Sequence, residues 1–234
     1  MLEEALSYPT RGDRSIGRII VGGLLVLFSF LIVPGLAALG YYVKVLGATS
    51  HGEQELPAFE DWGALIVTGL KAFVISFVYG IIPYFAFMLV GGLFGAGDYV
   101  GSGAGSLLTG VGLLVLLVGM VLAFAVQYVL PAALTSFARE GRLAAAFDFD
   151  AMKPVLTNNG YIIAVVLVFA LAVGVAFLVA VATMFTFGLA LLLFVPLGPF
   201  FYFWLYLVGA YMFGTAYGDA ASGRPAANTA AVSD

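Results

Sequence analysis

Apolar residues in this chain fall in long blocks separated by a few short polar stretches. Residues 106–137 carry no charge, and neither do residues 154–218. A helix crosses the ~30 Å of bilayer hydrocarbon with about 20 residues, each rising 1.5 Å. The second block is about three times that length, so it must turn back. Lipid leaves only helices and closed barrels as spanning forms. A barrel strand alternates apolar and polar positions over about ten residues, whereas 111–130 (VGLLVLLVGMVLAFAVQYVL) shows no alternation. The pattern predicts an all-α integral membrane protein.

Six hydrophobic helical segments follow, arranged as three hairpins. The first is short: residues 17–33 and 35–46, broken at Pro34-Gly35. The second pairs 63–94 with 106–137 across GAGDYVGSGAGS (95–106), whose glycines read as a flexible turn. The third pairs 160–186 with 188–217, with Thr186 to Gly188 as the expected turn. Residues 1–218 read as a single helical membrane domain, and the small, polar residues 219–234 as a disordered tail.

Two polar connectors resemble each other. In YVKVLGATSHGEQELPAFEDW (42–62), Tyr42, Val43, Thr49 and Ser50 match Tyr128, Val129, Thr135 and Ser136 of YVLPAALTSFAREGRLAAAFDFD (128–150) at one offset. After a small shift, Ala58 to Trp62 match Ala146 to Asp150, which indicates internal duplication. Residues 3–19 read as a third, degraded copy. Each connector is expected to form a short interfacial amphipathic helix before its span. Phe59, Trp62 and Leu65 or Ile66 make the apolar stripe of one, and Phe147, Ala151 and Val155 that of the other.

Charge then sets orientation. Arginines and lysines fall at positions 11, 14, 18, 44, 71, 139, 142, 153 and 224, while the loops at 95–106 and near 187 have none. The positive-inside rule places the connectors and both termini in the cytoplasm, in a multi-pass protein of the cell membrane. Every basic residue is cytoplasmic only if 17–46 doubles back, yet about thirty residues are too few for two full spans. A re-entrant hairpin meets both conditions; the alternative is five spans with a single long first helix. No cleavable signal peptide is expected, since Met1 leads into LEEALSYPTRGD and no cleavage site follows the first apolar run.

Charged residues make up 9% of the chain, against about 25% in a soluble domain, so lipid must cover much of the surface. That scarcity also limits chemistry. With no cysteine and one histidine, His51, cysteine metal sites are excluded, and no zinc or transition-metal site and no cofactor is expected. His51 lies in an acidic loop and reads as solvated. Glu53, Glu55, Glu60, Asp61, Asp148 and Asp150 lack the calcium-loop pattern and read as solvating turns and capping helix starts. The glycines of 95–106 are not followed by the Lys-Ser/Thr of a phosphate loop. Lys44 and Lys71 lie near helix ends and can snorkel, and at depth only Gln127 and scattered hydroxyls are polar, which argues against a proton- or sodium-coupled transporter. Gly110, Gly112, Gly119, Gly174 and Gly188 are expected to let helices pack closely. Phe59, Trp62, Phe147 and Phe149, interleaved with acids, are the candidate functional residues: aromatic anchors at the headgroup level, or a docking surface for a soluble partner or lipid headgroups.

The segments LEEALSYPTRGDRSIGRIIVGGLLVLFSFLIVPGLAALGYYVKVLGAT, LPAFEDWGALIVTGLKAF and YVLPAALTSFAREGRLAAAFDFDAMKPVL resemble the archaeal membrane family catalogued as domain of unknown function 4013, especially its haloarchaeal members. PAFEDWG is the most specific part. The resemblance implies a multi-span protein of the cytoplasmic membrane and supplies no activity. Together these features predict a non-enzymatic scaffold, assembly or envelope-associated factor. Its expected partners are membrane lipids and an unidentified protein, and not nucleic acid. The alternative is a permease or lipid-handling protein for an apolar or neutral ligand.

Overall fold

The computed structural model describes residues 2–12, 14–100 and 102–223. Among them every regular element is helical: α1 (Leu2–Ser7), α2 (Ser15–Leu27), α3 (Ile32–Ser50), α4 (Trp62–Tyr99), α5 (Ser102–Glu140), α6 (Phe149–Leu156), α7 (Asn159–Phe185) and α8 (Leu189–Ala221), with 3-10 turns at Tyr8–Thr10 and Leu143–Phe147. Five of these, α3, α4, α5, α7 and α8, are long and apolar enough to cross a membrane, and α2 is shorter.

The first hairpin does double back. Arg18, in the opening turn of α2, donates to the carbonyl of Leu56, just past the end of α3. The start of one helix and the end of the other therefore lie together. The reversal falls at residues 28–31, a few positions before the expected break at Pro34-Gly35. Pro34 sits instead in the first turn of α3, where the missing N–H has no helical partner to lose. At 1.5 Å per residue α2 extends only about 20 Å and α3 about 28 Å, so this pair is a short hairpin and not one long span.

The second hairpin turns more tightly than its glycines suggest. Helix α4 continues to Tyr99 and α5 begins at Ser102, so Gly95, Gly97, Gly103 and Gly105 are helical and not loop. A side chain on Gly105 would strike the carbonyls of Gly97 and Val100. The glycines let two antiparallel helices approach just before they join. The third turn lies where expected. Phe187 and Gly188 both adopt positive φ, +50° and +89°, and the Thr186 hydroxyl accepts from the N–H of Ala190. The expected tail is helical as far as Ala221; residues 224–234 lie outside the described residues.

The chain divides into two compact units, residues 1–73 with 131–234, and Val74–Leu130. In the first, the inner half of α8 forms the core: Phe203, Leu207, Val208, Ala210 and Met212 are fully buried. Lipid offers apolar helices no hydrophobic reason to associate, so close packing and hydrogen bonds must hold them. Glycines supply the approach. Gly22 and Gly23 of α2 seat the rings of Phe203 and Phe200, and Gly214 and Gly218 of α8 lie on Thr49 and Ser50 of α3. Where α3 crosses α4, Gly40 faces Leu65 and Gly69 faces Leu36, backbone against backbone. In the second unit, Gly112 rests on Phe94, and Gly119 on Ala86 and Phe87. Of the five glycines expected to pack closely, these two do. Gly110 and Gly174 face open space, and Gly188 serves the turn.

Candidate functional site

Polar groups gather where the carbonyl ends of α3, α5 and α8 meet. Arg139, in the last turn of α5, donates Nη1 to the carbonyl of Ser50 at the end of α3 (2.8 Å) and lies 5.7 Å from the Tyr217 ring of α8. Helix ends leave unpaired carbonyls with the negative end of the dipole, and a guanidinium answers both.

The first connector does not form its expected interfacial helix. Residues 53–61 hold no helix and run as a strap that other elements grip by its backbone. Tyr8 donates to the carbonyl of Glu55 (3.3 Å), Arg18 to that of Leu56, Tyr41 to Pro57 (2.8 Å) and Lys44 to Ala58 (2.9 Å). Leu56 is buried beneath it. Pro57 has no N–H to offer, and side chains from elsewhere in the chain hold the carbonyls around it in non-helical backbone. Burial, reinforced by Tyr41 and Glu53, pushes the Tyr8 phenol well above its usual range, and Arg18 offsets this only in part.

The second connector does form a short helix, α6, which buries Met152 and Val155. Of the expected stripe Phe147, Ala151 and Val155, only Val155 is buried in the protein; Phe147 and Ala151 are exposed. Asp61 caps α4 through the N–H of Ala64 and Asp148 caps α6 through that of Ala151, both at 3.0 Å. The reading of these acids as helix caps therefore holds for one residue in each connector. The duplicated hydroxyls share a role as well: Thr49 and Thr135 are both buried and both donate to the carbonyl four residues back.

The four aromatic candidates divide. Phe59 stacks on Tyr41 at 3.8 Å and on Trp62 at 5.7 Å, so it closes a ring cluster over α3. Trp62 is 46% exposed, Phe149 55% and Phe147 37%, which leaves broad apolar rings at the surface beside capping aspartates. Gln127 is exposed as well.

A cleft of about 480 Å³ opens at the meeting of the helix ends, walled by Thr49 to Gly52, Gln54, Arg139, the last turns of α8 from Tyr211 to Ser222, and Glu4 of α1. His51 lines it while its Nδ1 contacts the carbonyl of Gly47 (2.7 Å). Arg11 donates to Gln54 Oε1 (2.7 Å) and lies 5.9 Å from the Tyr211 ring. Among the described residues no group of three His, Cys, Asp or Glu could hold a metal ion. Sequence reasoning missed this cleft because its walls come from four separated segments. Tyr211 and Thr215 fall inside the expected 188–217 segment, and Asp219 opens the expected tail.

No curated protein and no solved structure matches the chain. The family model described as "Protein of unknown function (DUF4013)" matches residues 23–185, from the first apolar helix through the end of α7. That stretch is more than half of the chain and takes in both connectors, so the chain belongs to this family of membrane-type helical proteins.

Proposed function

We propose that the chain is a non-enzymatic scaffold or assembly factor of the cell membrane, with both termini and both connectors in the cytoplasm. The observation that supports it is the glycine-seated core of the first unit, in which α2 and α3 touch α8 with no room for a side chain at Gly22, Gly23, Gly214 or Gly218. A carrier must separate helices around its cargo. Helices in contact at their backbones are suited to holding one shape. The exposed rings of Trp62, Phe147 and Phe149 then serve as anchors at the headgroup level.

A lock between helices tests this. The chain has no cysteine, and a Cβ on Gly47 would lie 3.4 Å from that of Ala138, close to the spacing a disulfide needs. The Gly47→Cys/Ala138→Cys chain, purified in mild detergent oxidised or reduced, is compared by protein and lipid mass spectrometry. A scaffold keeps the same protein partner in both states. A small ligand held or released according to the lock, or no protein partner in either state, would overturn the proposal in favour of a carrier.

A further inference from the structure

We propose that the cleft at the ends of α3, α5 and α8 binds a small organic cation carrying a primary ammonium. Hydrogen-bond direction carries the case. Five hydroxyl residues line the cleft. Four give their protons to helix carbonyls, Thr49 to Val45 (2.8 Å), Ser50 to Gly47 (2.8 Å), Thr215 to Tyr211 (2.7 Å) and Ser222 to Gly218 (2.8 Å), and Tyr211 gives its own to Gln54 Oε1 (3.4 Å). What they can turn towards a ligand is lone pairs. Three helices also end here, each adding the negative end of its dipole. Among the lining residues two carboxylates, Glu4 and Asp219, stand against one guanidinium, Arg139, a net charge of −1 with His51 neutral.

The cations already present show what the surroundings accept. Arg139 is held by the Ser50 carbonyl and the Tyr217 ring, and Arg11, beside the wall, by Gln54 Oε1, the Ser7 hydroxyl and the Glu4 carbonyl. Both are bonded to neutral oxygens, the same partners an ammonium with three N–H donors would use. The volume of about 480 Å³ is that of a small-molecule site, which pockets of about 300–1,000 Å³ typify. The ammonium can come from a free polyamine or from an aminolipid headgroup.

The test uses the full chain in phosphatidylglycerol nanodiscs, titrated calorimetrically with spermidine. Saturable binding at one site is expected. Asp219→Asn and Glu4→Gln should each weaken it about tenfold, the scale of one charge-assisted hydrogen bond, in chains that still unfold cooperatively without ligand. Magnesium at matched ionic strength should not displace the amine. Nanodiscs that also contain phosphatidylethanolamine separate the sources: competition with spermidine identifies the headgroup as the ligand, and no competition identifies a free amine. Absence of saturable binding, displacement by magnesium as effective as by amine, or full affinity in the Asp219→Asn/Glu4→Gln double variant would overturn the proposal.

Discussion

Substituting Gly40 with alanine isolates the contact on which the α3–α4 crossing depends. The added methyl would fall 1.9 Å from the carbonyl oxygen of Leu65 and 3.0 Å from the N–H nitrogen of Gly69. Both are backbone atoms that no rotamer change can move. Ordinary van der Waals contact begins at 3.4 Å, so the helices must part by about 1.5 Å. Helix propensity pulls the other way, since alanine is favoured over glycine by about 1 kcal/mol in a helix interior. Overpacking that forces a backbone shift costs about 1–3 kcal/mol, occasionally more, and parting the helices also loosens the paired contact of Gly69 on Leu36. The net expectation is a loss of about 2 kcal/mol, or a melting temperature lower by about 4–8 °C in a domain of this size. Gly80 and Gly110 provide the control, because nothing lies within 4 Å of a side chain added at either. Gly80→Ala and Gly110→Ala should be neutral or stabilising by up to about 1 kcal/mol. Thermal unfolding of the three variants in one detergent decides the matter. A Gly40→Ala chain that melts with the native one, or controls that fall as far as Gly40→Ala does, would refute the crossing as the stabilising contact.

Three further outcomes are expected. In intact cells, cysteines at Ser7 and Ser222 should resist an impermeant thiol reagent while one at Tyr99, 92% exposed beside the α4–α5 turn, should react; labelling at position 7 would reverse the proposed orientation. Trp62→Ala should lower thermal stability by about 1–3 kcal/mol, since it removes a half-exposed ring stacked on Phe59, whereas Glu60→Ala should cost about 0.5 kcal/mol or less; equal losses would detach Trp62 from any anchoring role. The Tyr8 phenol is raised above its usual value of about 10 by burial, so the folded state keeps a proton that the unfolded chain releases. Its contribution is complete below about pH 10 and is lost as pH rises beyond it. Tyr8→Phe should therefore flatten the fall of melting temperature above that pH, and an unchanged alkaline slope would show that Tyr8 is not the group responsible.

Sequence alone was sufficient for the class and the hairpins, because span length follows from bilayer thickness and charge-free blocks are unambiguous. It also located the Thr186–Gly188 turn, where glycine could supply the left-handed conformation. Glycine was misjudged where it did the opposite job. Gly97 and Gly105 look like loop residues by conformational freedom, yet they are helical because two helices need the space. The first connector misled for a related reason. Phe59, Trp62 and Leu65 carry helical spacing, but the carbonyls of 55–58 are claimed by Tyr8, Arg18, Tyr41 and Lys44 from elsewhere in the chain. No local pattern records a partner 38 residues away, as Arg18 is from Leu56. The cleft was illegible on the same ground: its hydroxyls become acceptors only once each is seen giving its proton to a partner within the fold.

The grip on the strap has an evolutionary consequence. Tyr8, Arg18, Tyr41 and Lys44 hold carbonyl oxygens, which every amino acid possesses, and so they are blind to the side chains they fasten. The grip itself therefore places no demand on the side chains at 55, 57 and 58, while the buried position at Leu56 must stay apolar. The four clamping residues have no such freedom. What makes PAFEDWG specific must then lie in its side-chain contacts, Phe59 on Tyr41 and Asp61 at the start of α4, and not in the hands that hold its backbone.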